Sequence, residues 1–516
     1  MANRTVALSP GALALAALLA LLMLGTLGVV ALRAEGFALR PADGAALRFT
    51  LLQAALSAAL SCLLAIPTAR ALARRRFAGR AALISLMGAP FVLPVVVAVL
   101  GLLAVFGRSG IVNQTLAALN LPAFSIFGLQ GVVLAHVFLN LPLAVRMLLA
   151  GWQAIPAERF RLAQTLGLGP MATFRHLEFP MLRAVLPGAA VVIFLLCLTS
   201  FAVALTLGGG PKATTLELAI YQSLRFDFDM GRAALLAGLQ FATCAASVLL
   251  AGRLALPSGF GAGLDRALQI PAPPGWRRAA DITVISLAAA FLLIPLGSVV
   301  LRGLPGIAGL PVSVWRAAAQ SLAIAAASTL LTVTAALILA LAVAARSRGA
   351  AWIEAAAMLP LAASGLVLGT GMFLVIQPIL RPEDLALPVT VLVNAALSLP
   401  FVFRLILPQA QALAADHDRL SAALGLRGRA KLRLITLPRL ARPLGFGAGL
   451  AAALSMGDLG VIALFAGDTG ATLPLMVQRL MGAYRMDAAA AAALLLVTLS
   501  FTLFWLLDQI GRHAAA

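Results

Sequence analysis

Charge is scarce in this chain, and acidic charge is scarcer still. Only 11% of the 516 residues are Asp, Glu, Lys or Arg, with 18 acidic against 38 basic, too few to cover a water-soluble surface. Cysteine is nearly absent. Cys62, Cys197 and Cys244 all fall inside apolar stretches and form no CxxC pair, which argues against a disulfide framework and a metal cluster. There is no HExxH, no GxSxG and no Cys/His ligand set. Lys212 follows Gly208-Gly209-Gly210-Pro211 but lacks the Gly-Lys-Ser/Thr order of a nucleotide-binding loop. No catalytic residue, no metal site and no ATPase site is therefore expected in this chain.

What is abundant is apolar length. The residues are 62% hydrophobic, with a mean hydropathy of +1.03. A bilayer core about 30 Å thick needs roughly 20 apolar residues per helix, and only helices satisfy every backbone N–H and C=O within one segment. Candidate spans fall at 11–32, 49–66, 81–106, 129–149, 181–207 and 233–254, then at 282–301, 317–344, 353–375, 389–407, 444–465 and 488–507. The expected fold is an all-α polytopic membrane protein of about 12 transmembrane helices, arranged as a 6+6 parallel internal repeat. Residues 1–254 make the first half (core about 49–254), 255–281 a linker, and 282–516 the second half (core about 315–508). The first apolar stretch lacks a small-x-small cleavage site and reads as a retained span.

A formal charge of +20 invites a nucleic-acid reading. The basic residues, almost all Arg, instead cluster between spans, as the positive-inside rule predicts for a protein surrounded by lipid. Arg70, Arg74, Arg75, Arg76 and Arg80 follow the second span, and the long loops 146–183 and 404–442 are Arg-rich. These loops, the linker and both termini are expected in the cytoplasm of a bacterial inner-membrane protein. No nucleic-acid partner is expected. The five tryptophans, Trp152, Trp276, Trp315, Trp352 and Trp505, lie near span ends and read as interface anchors.

An internal repeat organises the rest. Leu141-Pro142 and Arg146 recur as Leu399-Pro400 and Arg404, displaced by 258 residues. Arg161-Leu162-Ala163 and Gly167 recur at the same offset as Arg419-Leu420-Ser421 and Gly425; Pro180 recurs as Pro438, and Thr214 as Thr472. Two copies of six spans share one orientation, so they should be related by an axis along the membrane normal, with the pathway at their interface. Between the fourth and fifth spans each copy reads as helix, glycine, helix. Gly167 and Gly425 are expected to end a helix in the left-handed region. Pro170 suits the first turn of the next helix, which Phe179-Pro180 and Leu437-Pro438 should halt. The glycine-to-proline spacing is 13 residues in both copies, a shape suited to a rigid lever.

The spacing Gly167…Leu177-x-Phe179-Pro180, with Gly425…Ile435-x-Leu437-Pro438, resembles the EAA signature of type I ABC-importer permeases. The resemblance implies that Glu158, Arg161, Leu162, Ala163, Gly167 and Pro180, with Asp416, Arg419, Leu420, Ser421, Gly425 and Pro438, form coupling loops that dock on an ATPase. The acidic residue usual in that family, six positions before the glycine, is Arg161 here and Arg419 in the second copy. Glu158 and Asp416, three residues earlier on the same helical face, are expected to supply the acid instead. The run from Gly208 to Gln222, with segments 71–79, 128–142 and 455–465, is similar to the thiamine permeases of that family. That likeness implies a cytoplasmic ATP-binding homodimer carrying ATP and Mg, a periplasmic thiamine-binding protein, and no cofactor on this chain.

Inside the spans the residues leave choices open. Asp458, with Ser455 before it, either lines the path or gate, where it could attract a cationic thiazolium, or pairs with a neighbouring helix. The glycine run Gly208-Gly209-Gly210 and Tyr221 open amphipathic stretches, 214–229 and 472–487, expected along the periplasmic rim as a docking platform or gate. Tyr221 and Tyr484 read equally as interfacial aromatics. His136 and Asn140 read as an interhelical hydrogen-bonding edge ahead of a substrate contact. Fused permeases for ferric iron or another small solute, and a twelve-helix secondary transporter, are the alternatives. The latter lacks the buried acid–base sets of ion coupling.

Overall fold

A computed structural model describes residues 10–34, 39–88, 92–252, 275–345, 349–426, 428–467 and 470–514, and its regular structure is helical throughout. Each half contributes seven principal helices. The first half holds α1 (Pro10–Arg33), α2 (Pro41–Arg74), α3 (Val95–Phe106), α4 (Leu129–Ala154), α5 (Phe179–Leu198), α6 (Leu216–Arg225) and α7 (Met230–Gly252). The second holds α8 (Trp276–Gly303), α9 (Val312–Ala344), α10 (Gly365–Ile376), α11 (Ala386–Ala423), α12 (Leu437–Met456), α13 (Leu473–Gly482) and α14 (Met486–His513). Among the described residues eleven helices are long and apolar enough to cross a membrane. The count is twelve if Ala350–Ala362 and Gly365–Ile376, bent by 96°, form one broken span. The 255–281 linker lies outside the described residues up to 274; α8 already begins at Trp276.

The duplication is visible in the element ends. Helices α5 and α12 start and stop 258 residues apart, as do the π-helical turns Phe174–Glu178 and Leu432–Thr436 that precede them. Earlier in the chain the offset widens to 270: Gly79 and Gly349, both at φ 88°, open the short helices before α3 and α10. An additional helix, Ile111–Ala118, in the first half's loop between third and fourth spans accounts for the difference.

The halves are interleaved. α1 packs against α9 and α10 of the second half as well as α7, while α8 packs against α2 and α3 of the first half as well as α14. The cores follow suit: Ala12, Ala16 and Leu19 of α1 are buried with Ala336, Leu339 and Phe403 of the second half. Small side chains on these faces let helices approach closely where lipid offers no hydrophobic driving force. Gly371 of α10 sits so near α1 that an added Cβ would lie 2.9 Å from the Thr26 carbonyl.

Three sequence expectations need correction. The fifth and eleventh spans are broken: α5 ends before Thr199-Ser200 and resumes as Phe201–Leu207, and α12 ends before Gly457-Asp458 and resumes as Gly460–Phe465. The proline pairs do not halt the preceding short helices. In each half a π turn carries the helix through, the Phe179 N–H reaching back five residues to the Phe174 carbonyl and that of Leu437 to Leu432. Pro180 and Pro438, having no N–H, then sit in the opening turn of α5 and α12, where a donor is dispensable. Trp152, finally, is fully buried within the bundle rather than anchored at an interface; the other four tryptophans are exposed.

Candidate functional site

At the Arg-rich end each half forms an elbow. In the first, Pro156 interrupts the chain after α4 and starts the short helix Ala157–Thr165, since proline fits a first turn but not a helix interior. That helix buries Phe160 and Ala163 and exposes Glu158, Arg161 and Leu162. Gly167 takes φ 65°, and the Leu168 N–H closes onto the Ala163 carbonyl at 2.9 Å, the six-to-one bond of a Schellman terminus. The second elbow repeats it: Gly425 at φ 67°, the Leu426 N–H on the Ser421 carbonyl at 2.9 Å, Asp416 exposed and Ser421 buried. The side chains of Arg419 and Leu420 lie outside the described residues. Ala414 stands where the first copy has Pro156, so α11 runs unbroken for 38 residues straight into the elbow. Both elbows present apolar side chains outward, Met171 at 76% and Leu434 at 63% exposure among them.

One residue that the sequence reading passed over lies at the root of the first elbow. Glu178, in the π turn, is 1% exposed and ion-paired with Arg70 and Arg74 of α2, the latter at 3.0 Å. Arg70 also lies over the Phe174 ring, 4.9 Å from its centroid. The neighbouring Arg75 pairs with Asp281 of α8 at 2.7 Å. An acid close to the proline pair, one of only two in a loop of arginines, was the available signal.

Midway along the bundle the two breaks in the fifth spans approach each other. A Cβ on Gly460 would lie 3.8 Å from Phe201, the first residue beyond the other break. Asp458 accepts from the Val461 N–H at 3.5 Å, capping the resumed helix, and its Oδ2 has no hydrogen-bond partner among the described residues. Ser455 is buried, bonded to Ser328 Oγ at 2.9 Å and accepting from Asn394 Nδ2 at 3.2 Å. The first half carries a matching polar knot. Ser57 meets His136 Nδ1 at 3.3 Å, and Asn140 donates to the Cys197 sulfur at 3.4 Å. His136 and Asn140 thus bond between helices.

At the opposite end, Gly208, Gly209 and Gly210 make a tight turn against the start of α4. A Cβ on Gly208 would meet the Ala204 carbonyl at 2.5 Å, and one on Gly209 would meet Phe127 at 2.9 Å. The rim helices that follow are held alike in both halves. The Leu216 N–H donates to Thr50 Oγ1 at 2.9 Å, and that of Leu473 to Ser321 Oγ at 2.8 Å. Arg225 of α6 donates to the Ala466 carbonyl and Arg479 of α13 to that of Gly467, at 3.2 and 2.7 Å, so both helices grip one strap. Most residues of both helices are buried against the bundle. Tyr221 packs between Phe201 and Phe226, while Phe228 and Tyr484, in the turns that follow, are exposed. Glu217, also overlooked, is buried on α6 and accepts from Ser364, the N-cap of α10.

No family model matches the chain. It is, however, 41% identical over 473 residues to the thiamine transport system permease protein ThiP of Brucella abortus, covering 90% of this chain and 87% of that one. It is 41% identical over 478 residues to ThiP of Salmonella typhimurium, covering 90% and 89%. ThiP of Escherichia coli is 40% identical over 477 residues, with the same coverage.

Proposed function

The chain belongs to the family of thiamine transport system permeases, and we propose that it moves thiamine or its phosphate esters across the bacterial inner membrane by alternating access. It is the permease subunit of an ABC importer, a multi-pass membrane protein that works with an ATPase and a periplasmic binding protein. In the proposed arrangement the ATPase is a homodimer holding ATP and Mg, its two copies seated on the two elbows, and this chain binds no cofactor. The Arg-rich end, both termini and the linker face the cytoplasm, and the rim helices face the periplasm. A ferric-iron permease and a secondary transporter are not favoured, since thiamine permeases match along 90% of the chain.

The observation that carries the mechanism is the pair of elbows: in each half a helix ended by a left-handed glycine, then a π turn, at positions 258 residues apart, with apolar side chains exposed on both. Two like handles suit two like motor subunits. Glu158 and Asp416 stand exposed on their helices, Glu158 near the exposed Leu162, where they can meet basic groups of the ATPase. As the motor closes, the elbows approach, and the facing breaks at Ser200 and Asp458 are the joints about which the interface opens. Asp458, with one oxygen unpartnered, favours a cation passing the joint; Ser455, Gly208, Gly209, Gly210 and Tyr221 hold the surrounding gate in shape.

Reconstitution with the ATPase and a thiamine-loaded binding protein tests this. Uptake should require ATP and persist when ion gradients are collapsed. In the Glu158→Lys/Asp416→Lys variant, ATP hydrolysis should stop responding to the loaded binding protein, and uptake should fall by about tenfold. Uptake that follows the ion gradient, or an unaffected double variant, is the contrary result.

A further inference from the structure

The two elbows are alike in outline but not in how they are fastened. Among the described residues, the root of the first is closed by a buried carboxylate where the second has a hydroxyl. Glu178 occupies the last position of the π turn and Arg70 and Arg74 the last turns of α2, and the carboxylate is 1% exposed between them. The corresponding position of the second elbow is Thr436, whose hydroxyl donates to the Lys431 carbonyl within its own turn. At the 270-residue offset of Gly79 and Gly349, the positions equivalent to the two arginines are Ala340 and Ala344 of α9. A buried carboxylate held by two guanidinium groups is a stiff, directional joint: charge-assisted bonds are short and fix the angle between their partners. Breaking it leaves an uncompensated charge, so the joint resists opening during a cycle.

The joint has an onward connection. Arg75, next after α2, pairs with Asp281 near the start of α8, a helix of the second half. The cytoplasmic end of α2 therefore touches the first elbow on one side and the other half of the bundle on the other.

From this we infer that Glu178 is a positioning residue for energy coupling: clamped by Arg70 and Arg74, it makes the first elbow and α2 move as one body. A stroke delivered to that elbow then passes through α2 and Arg75–Asp281 into the second half. This rests on the reading of the chain as an ATP-driven importer permease. Glu178 touches neither nucleotide nor cargo; it determines how much of the elbow's motion reaches the path.

The test compares ATP hydrolysed with thiamine taken up, in proteoliposomes holding the full chain, its ATPase and the loaded binding protein. In Glu178→Gln the shape is kept and the charge removed. Hydrolysis should stay within about twofold of wild type while the ATP spent per thiamine rises by about tenfold; Glu178→Asp, which keeps the carboxylate, should recover most of the ratio. Spin labels at Met171 and Arg76 give a second readout: one narrow distance through the cycle in wild type, a broad or nucleotide-dependent one in Glu178→Gln. Should that variant not assemble, Arg70→Gln is measured in the same two ways. Wild-type complexes without ATP-dependent uptake would overturn the importer reading itself. Active wild type with an unchanged ratio and distance in the variants would overturn the joint alone.

Discussion

Gly167 and Gly425 show what a single position can decide. Each ends a helix at φ near +66° with a six-to-one bond behind it, and no side chain obstructs a Cβ at either site. The demand is purely on the backbone. An L-residue in that region costs roughly 1–2 kcal/mol, more when β-branched. Gly167→Val/Gly425→Val should therefore insert and fold while the elbows take another exit angle, with stimulated ATP hydrolysis reduced at least about fivefold. Gly167→Asn/Gly425→Asn, which tolerates the left-handed region, should retain most of it. Positions of this kind were legible in the sequence because glycine followed by proline at fixed spacing leaves few conformations. Glu178 and Trp152 were harder to read. An acid in a loop of arginines and a tryptophan near a span end look like solvated charge and interface anchor, and only the tertiary packing sets their burial.

At the scale of elements, periodicity and apolar length located the spans, but not their breaks. Nothing at Thr199-Ser200 announces an interruption; neither residue is a strong helix breaker. What allows the break is a lattice of polar partners from α2, α4 and α7, such as Gln53 and Gln240 donating to the Cys197 and Leu198 carbonyls at 2.9 Å. Freed carbonyls at membrane depth need such partners. The π turns were likewise invisible, since a five-residue bond pattern has no compositional signature. Their consequence can be measured. Deleting Leu434, an exposed residue of the second π turn, should restore ordinary pitch and swing that elbow by about 100° relative to α12. Stimulated ATP hydrolysis should then be lost in a chain that still reaches the membrane; full stimulation would mean the turn is incidental.

The whole molecule is built from two copies that exchange their first helices. α1 is buried among second-half residues and α8 among first-half residues, so neither half encloses its own core. If the chain is cut after residue 262, the two fragments should copurify and regain thiamine uptake when made together, whereas either made alone should be degraded. Fragments that are each stable in isolation would contradict the exchange. The repeat itself could be read from sequence, through landmarks at one offset. The exchange could not, because an apolar helix carries no mark of which neighbour it will meet.

The unequal fourth spans bear on how force is divided. One is jointed at Pro156; the other, α11, is a rod of 38 residues, about 57 Å long, which outreaches the bilayer core and has its elbow at its tip. A symmetric motor pressing on both would meet two compliances. The first half meets the stroke at a break in the chain, the second at the tip of one continuous helix that carries Pro400 and Pro408 inside it, so equal strokes need not become equal travel.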